Sequence, residues 1–236
     1  MTTGPESHLQ SLPDGFRAVV IGASGGIGAA VCARLKSEPH LGELVEIARK
    51  LDGFDLLSEE SVADHANRLS NGPVHLVICA TGMLTTHGCP PEKSLRQIDP
   101  EIMLSQFRVN AVGPALVAKH FLPLLDRRSR TAAAFLSARV GSIGDNVKGG
   151  WISYRASKAA LNQIVKTASI ELARTHPNAV IAAMHPGTVR TALSEPYSKG
   201  HPTVSPEQAA ASLLRTLGRQ TQTGTFIAYD GSVIEW

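Results

Sequence analysis

Short apolar runs alternate with longer amphipathic stretches along the chain. Residues 16–21 form a mainly apolar run closed by glycine, which predicts a strand. Residues 27–35 then carry apolar side chains at helical spacing. The pair of patterns recurs: strands are predicted at 44–48, 74–79, 131–136, 180–184 and 226–229, and helices at 58–69, 100–125, 152–174 and 206–217. Ser58 stands where an N-cap belongs. Gly113-Pro114 is expected to interrupt the 100–125 helix. The run at 74–79 is apolar on both faces, as in a central parallel strand. There is no internal repeat, low-complexity tract or linker. The pattern predicts an α/β fold, a doubly wound parallel sheet in a single domain over 16–236, with residues 1–15 as an N-terminal tail.

Composition narrows the partners. The 236 residues are 43% hydrophobic and 18% charged, with a net charge of +3. Basic residues are scattered, and the densest cluster is Arg127, Arg128 and Arg130. No basic stripe with interleaved aromatics appears, so no nucleic-acid partner is expected. Cys32, Cys79 and Cys89 form neither a disulfide framework nor a CxxC motif, and no metal is expected. No apolar stretch reaches the roughly 18 residues of a membrane span, and residues 1–15 lack a basic start followed by an apolar run. A cytoplasmic protein with no membrane partner is expected.

Ligands of such sheets gather at the carboxyl ends of the strands, which here are Gly22, Arg49, Ala80, Ser137 and His185. Directly after the first strand comes Gly22-Ala23-Ser24-Gly25-Gly26-Ile27-Gly28. A turn without β-carbons lets backbone N–H groups approach a pyrophosphate at a helix N-terminus. The second strand ends Glu46-Ile47-Ala48-Arg49-Lys50. An acid there would accept from a ribose 2′-hydroxyl, whereas a guanidinium would clamp a 2′-phosphate. Glu46 lies within the strand and Arg49 at its tip, which favours NADP(H). Tyr154 and Lys158 stand four apart on a predicted helix and share one face. An ammonium beside a phenol is expected to lower its pKa and make it a usable proton donor and acceptor. Proton chemistry beside a nucleotide suggests an oxidoreductase on a Rossmann-like sheet.

Together these residues resemble the short-chain dehydrogenase/reductase family. The glycine turn is similar to its T-G-x-x-x-G-x-G, with Ile21 for the threonine. Cys79-Ala80-Thr81-Gly82 stands in place of N-N-A-G, and Asn110 with Gly113 matches N-x-x-G. Tyr154-x-x-x-Lys158 and Pro186-Gly187-Thr188-Val189-Arg190-Thr191 match further motifs. Arg139-Val140-Gly141-Ser142-Ile143 and the ending 229–236 are similar to the C-factor-like carbonyl reductase branch. The resemblance implies NADP(H) and a small-molecule carbonyl or alcohol substrate, with hydride passing between nicotinamide and substrate. It implies that Tyr154 is the general acid/base, that Lys158 holds the nicotinamide ribose, and that Asn110 positions a water. It also implies cofactor contacts from Gly22, Ser24, Gly26, Ile27, Gly28, Arg49, Asp55, Leu56, Ala80, Gly82, Tyr154, Lys158, Pro186, Gly187, Thr188, Val189 and Thr191, with Asp55 on the adenine amino group. A homodimer or homotetramer built on the long helices is implied as well.

One position departs from the family. The serine that bonds the substrate carbonyl falls on Ala138, after Ser137. Ser137 is the first candidate to replace it, and Ser142 or a water are the others. The departure also leaves open a different class of protein, a nucleotide-binding regulatory or scaffold protein impaired in catalysis. Residues 193–201 read as a polar lid that does not reveal the substrate. Trp151 and Tyr197 are candidates for either pocket or core.

Overall fold

The structure, a computed structural model, describes residues 8–236 except 87, 198, 199 and 201. Six strands form one parallel sheet: β1 (Phe16–Ile21), β2 (Leu41–Ile47), β3 (Leu76–Cys79), β4 (Thr131–Leu136), β5 (Ala179–His185) and β6 (Thr225–Ala228). Their order is β2-β1-β3-β4-β5-β6. The direction of winding reverses at β1, so the crevice between β1 and β3 is the place for a ligand. β1, β3 and β4 are buried along their whole lengths, as strands covered on both faces must be.

Two helical layers cover the sheet. On one face lie α3 (Glu59–Asn67), α5 (Gly113–Phe121) and α6 (Ile152–Leu172), which bury Val62, Val117, Phe121, Leu161 and Val165 against it. On the other lie α1 (Gly26–Leu35) and α7 (Pro206–Arg219), which bury Val31, Leu35, Leu213 and Leu217. A short α2 (Arg49–Asp52) follows β2, and α4 (Pro100–Phe107) precedes α5. Capping follows the sequence. The Ser58 hydroxyl accepts from Ser61 N at 3.2 Å, and Ser205 with Gln208 forms a reciprocal box at the start of α7.

Two expectations need correction. Residues 8–15 are not a tail: Leu9 is fully buried and Leu12 nearly so, in the α1/α7 layer. They are the apolar residues of an otherwise polar stretch, three apart, so one turn buries both. Residues 1–7 lie outside the description. The break at Gly113-Pro114 is also absent. A widened π-helical turn, Arg108–Val112, joins α4 to α5, and Gly113 keeps helical angles. A proline clashes with the β-carbon of a helical residue before it, and glycine has none. Pro114 also lacks the N–H that an α-turn would aim at the Asn110 carbonyl, and the wide turn sits just before it.

Candidate active site

The glycine turn is built by backbone contact. Gly22 has φ +87°, and a β-carbon on it would meet the Ala80 backbone at 3.0 Å. A β-carbon on Gly28 would lie 2.1 Å from the Gly22 carbonyl oxygen, and one on Gly26 2.8 Å from Thr191 Cγ2. Gly25 caps α1 with no side-chain hydrogen bond, and no acid stands in the first turn. The first N–H groups of α1 therefore remain free to meet an anion. Ser24 is exposed on the same turn. A cradle that β-carbons would fill, with free N–H groups beside it, fits a nucleotide pyrophosphate. Gly28→Ala is expected to destabilise the fold by about 1–3 kcal/mol, the cost of overpacking against fixed backbone. An unchanged midpoint in urea titration would contradict this.

Two residues past β2, at the start of α2, Arg49 is exposed and makes no ion pair among the described residues. The Glu46 carboxylate is held by Lys36 Nζ at 2.6 Å. Glu46 is thus paired, whereas Arg49 has no ion pair among the described residues. Asp55 is exposed, with Oδ1 accepting from Leu57 N at 2.9 Å. Leu56 packs so closely on Gly113 that a β-carbon there would meet its Cγ at 2.5 Å.

Tyr154 and Lys158 share the inner face of α6, with Nζ 6.0 Å from the ring centroid. Lys158 Nζ donates to the Leu136 carbonyl at 2.9 Å, at the end of β4. Gly82, from the end of β3, comes to the same point: a β-carbon there would lie 3.3 Å from Lys158 Nζ and 3.6 Å from Asn110 Oδ1. Burial pushes the Tyr154 phenol up to about 12 and pulls the Lys158 ammonium down to about 8. The expected lowering of the tyrosine is therefore not observed. Desolvation penalises both charged forms, and the ammonium, tied to a carbonyl, does not outweigh it. At neutral pH Tyr154 holds its proton and Lys158 is mostly charged.

Asn110 is fully buried, and its amide is occupied. Oδ1 accepts from Met83 N at 2.8 Å, while Nδ2 faces Met83 O, Gln106 Oε1 and Ser157 Oγ. The side chain clamps the β3 exit against the helices. Ser137 stands in the cavity wall, but its Oγ donates to Asn162 Oδ1 at 2.6 Å. Ser142 is buried, and its Oγ accepts from Asp145 N at 3.0 Å. Neither hydroxyl bonds Tyr154. Ser137 faces α6 because side chains alternate along β4, and Ala138 has no hydroxyl to offer.

A cavity of about 580 Å³ gathers these elements. Tyr154 forms one wall, Ile27 belongs to the glycine turn, and Pro186, Gly187, Val189 and Thr191 come from the loop after β5. Trp151 and Tyr197 are part of the wall as well, with ring centroids 5.5 Å apart. Trp151 has φ +53° and donates its N–H to the Glu92 carbonyl at 2.5 Å. Arg139, Lys148 and Arg155 line the cavity, and no carboxylate does among the described residues.

Several supporting residues escaped the sequence reading. Asn162 holds both Ser137 Oγ and, at 3.2 Å, the Gly141 carbonyl. It was legible as one more four-residue step after Tyr154 and Lys158. Gln106 stands four residues before Asn110, and its Nε2 donates to Leu84 O at 2.7 Å. Glu92, buried beside Ser153, carries no local signal.

The family model described as enoyl-(acyl carrier protein) reductase matches residues 22–229. The 1-hydroxy-2-glutathionyl-2-methyl-3-butene dehydrogenase of Rhodococcus sp. (strain AD45) is 31% identical over 92% of this chain and 98% of its own. C-signal of Myxococcus xanthus is 30% identical over 72% of this chain and 98% of its own. Among solved structures, the carbonyl reductase Sniffer of D. melanogaster superposes with a TM-score of 0.82 at 20% identity, covering 94% of this chain and 99% of that one. NADPH-bound carbonyl reductase from chicken fatty liver also reaches 0.82, at 21% identity, covering 97% of this chain and 98% of that one. Matches of this extent, on a chain whose glycine turn and Tyr154–Lys158 helix meet at one cavity, mean that it belongs to the short-chain dehydrogenase/reductase family and is an oxidoreductase.

Proposed function

We propose that the protein is an NADP(H)-dependent oxidoreductase that reduces a small-molecule carbonyl, or oxidises the matching alcohol, with Tyr154 as general acid/base. The observation that carries this reading is the wall shared by the Tyr154 ring, Ile27 of the glycine turn and the 186–191 loop. The turn Gly22–Gly28 would hold the pyrophosphate, Arg49 the 2′-phosphate, and Lys158 a ribose. When bound, the cofactor supplies the hydride.

The protein's share is position and proton. Tyr154 carries a phenol proton at neutral pH, since burial keeps its pKa near 12. It gives that proton to the substrate oxygen as charge develops there, and the nearby Lys158 ammonium stabilises the tyrosinate that remains. Asn110 keeps the β3 exit against this pair through Met83. Leu84, Trp151 and Tyr197 give the cavity an apolar and aromatic wall beside Tyr154. The carbonyl reductases among the structural neighbours, one of them bound to NADPH, support this reading.

The test is a panel of carbonyl substrates read by loss of NADPH absorbance. Cofactor choice has its own test. Arg49→Ala is expected to weaken NADPH binding about 10- to 100-fold, the scale of a lost charge-assisted contact, and to leave NADH binding unchanged. Equal affinity of the wild type for both cofactors would refute the assignment of Arg49. A rival reading, nucleotide binding without turnover, draws on Ala138 and on the engaged hydroxyl of Ser137. NADPH binding with no oxidation across the whole panel would favour it.

A further inference from the structure

His185 ends β5 beside the position where the family's serine is missing. Along β5, Ala183 faces the α5/α6 layer and Met184 the α1/α7 layer, so His185 turns toward the α6 side. It lines the cavity together with Tyr154 and Ala138. Ser137 N donates to the Met184 carbonyl at 2.8 Å, which sets the β4 exit against it.

The ring makes no hydrogen bond among the described residues. Nδ1 is buried without a partner, whereas Nε2 is not sealed off. Burial, reinforced by Arg139 and opposed by Asp230, holds the imidazole down to about 4. At neutral pH it is therefore uncharged and carries a single N–H. A buried N–H without an acceptor is rarer than an unused lone pair, which assigns the proton to Nε2, on the open side of the ring. Nearby hydroxyls are engaged: Ser137 on Asn162, and Ser194 on the Val189 carbonyl.

We propose that His185 donates a hydrogen bond from Nε2 to the carbonyl oxygen of the substrate, and so supplies the donor that the family places as a serine hydroxyl at position 138. The role rests on the reading of this site as a carbonyl reductase. Tyr154 delivers the proton. His185 keeps its own and polarises the carbonyl, so its effect falls on the transition state.

The experiment compares three substitutions on a ketone or aldehyde that the wild type reduces. His185→Leu removes the donor. His185→Asn keeps a polar side chain but offers its amide near Nδ1, too short to replace Nε2. His185→Gln extends an amide N–H to the Nε2 position. Leu and Asn are expected to lower kcat/KM about 10²-fold, the scale of one lost oxyanion donor, with NADPH affinity unchanged. Gln should stay within about fivefold of the wild type, because it retains the donor. Adding Ala138→Ser to the Leu or Asn variant should recover at least about tenfold by restoring a hydroxyl dipole at the site. Folded Leu and Asn variants with wild-type kcat/KM would overturn the proposal. So would a Gln variant as poor as Leu, or the loss of the fold in all three, since each makes the ring a packing element. A wild type inactive on every carbonyl would instead remove the underlying reading of the site, and the His185 role with it.

Discussion

Tyr154→Phe is expected to lower kcat for carbonyl reduction about 10²- to 10⁴-fold, the usual contribution of a positioned general acid. The substitution is well isolated by its surroundings. The phenol hydroxyl makes no hydrogen bond among the described residues, so removing it breaks none. The ring keeps its edge contact with Trp151, at 6.3 Å between centroids. Thermal stability and NADPH affinity should therefore remain at wild-type values while turnover collapses. Stopped-flow measurement of NADPH oxidation on a substrate chosen from the panel reads this directly. Turnover within threefold of the wild type would remove Tyr154 from the chemistry.

Lys158→Ala should act on both cofactor binding and rate. The ammonium is buried, donates to the Leu136 carbonyl, and stands close to the Tyr154 ring. Losing its charge should cost about 10²- to 10³-fold in kcat/KM, as for other preorganised electrostatic groups. Its pKa adds a second signature. Burial pulls Lys158 from its ordinary value down to about 8, so the charged form is present below that pH and is lost as the pH rises through it. Tyr154, near 12, stays protonated across the same range. The kcat/KM of the wild type for reduction should therefore be level up to about pH 8 and then fall about tenfold per unit. In Lys158→Ala that limb should disappear from the already lowered profile. A wild-type profile still flat at pH 10 would contradict the assignment.

Much of the site was readable because its chemistry depends on fixed spacings. Four residues along a helix return to the same face, so Tyr154 and Lys158 had to be neighbours wherever α6 packed. Gly22, Gly26 and Gly28 follow an apolar strand, and a β-carbon would press on backbone at Gly22 and Gly28 and on the Thr191 side chain at Gly26. Glu46 was legible as lying within β2 and Arg49 as lying just beyond it, and β2 does end at Ile47. The strands at 16–21 and 131–136 match the observed β1 and β4.

What could not be read depended on distance in the chain. Whether a phenol is raised or lowered is decided by the walls around it, and those come from β3, β4, β5 and their loops. Adjacency to Lys158 favoured lowering, but burial prevailed. The hydroxyl of Ser137 was available in the sequence. Asn162, 25 residues later, accepts its hydrogen bond once α6 lies against β4. Leu9 and Leu12 looked like part of a tail because nothing near them in sequence is apolar enough to hide them, and α1 and α7 supply the cover. The sequence by itself determined the alternation of strand and helix, the glycine turn and the Tyr154–Lys158 pair, since these follow from local periodicity and from the missing β-carbons. The tertiary structure alone decided which polar groups are already bonded and which, like His185 Nδ1, are buried without a partner, because burial and hydrogen-bond supply depend on elements that meet only after folding.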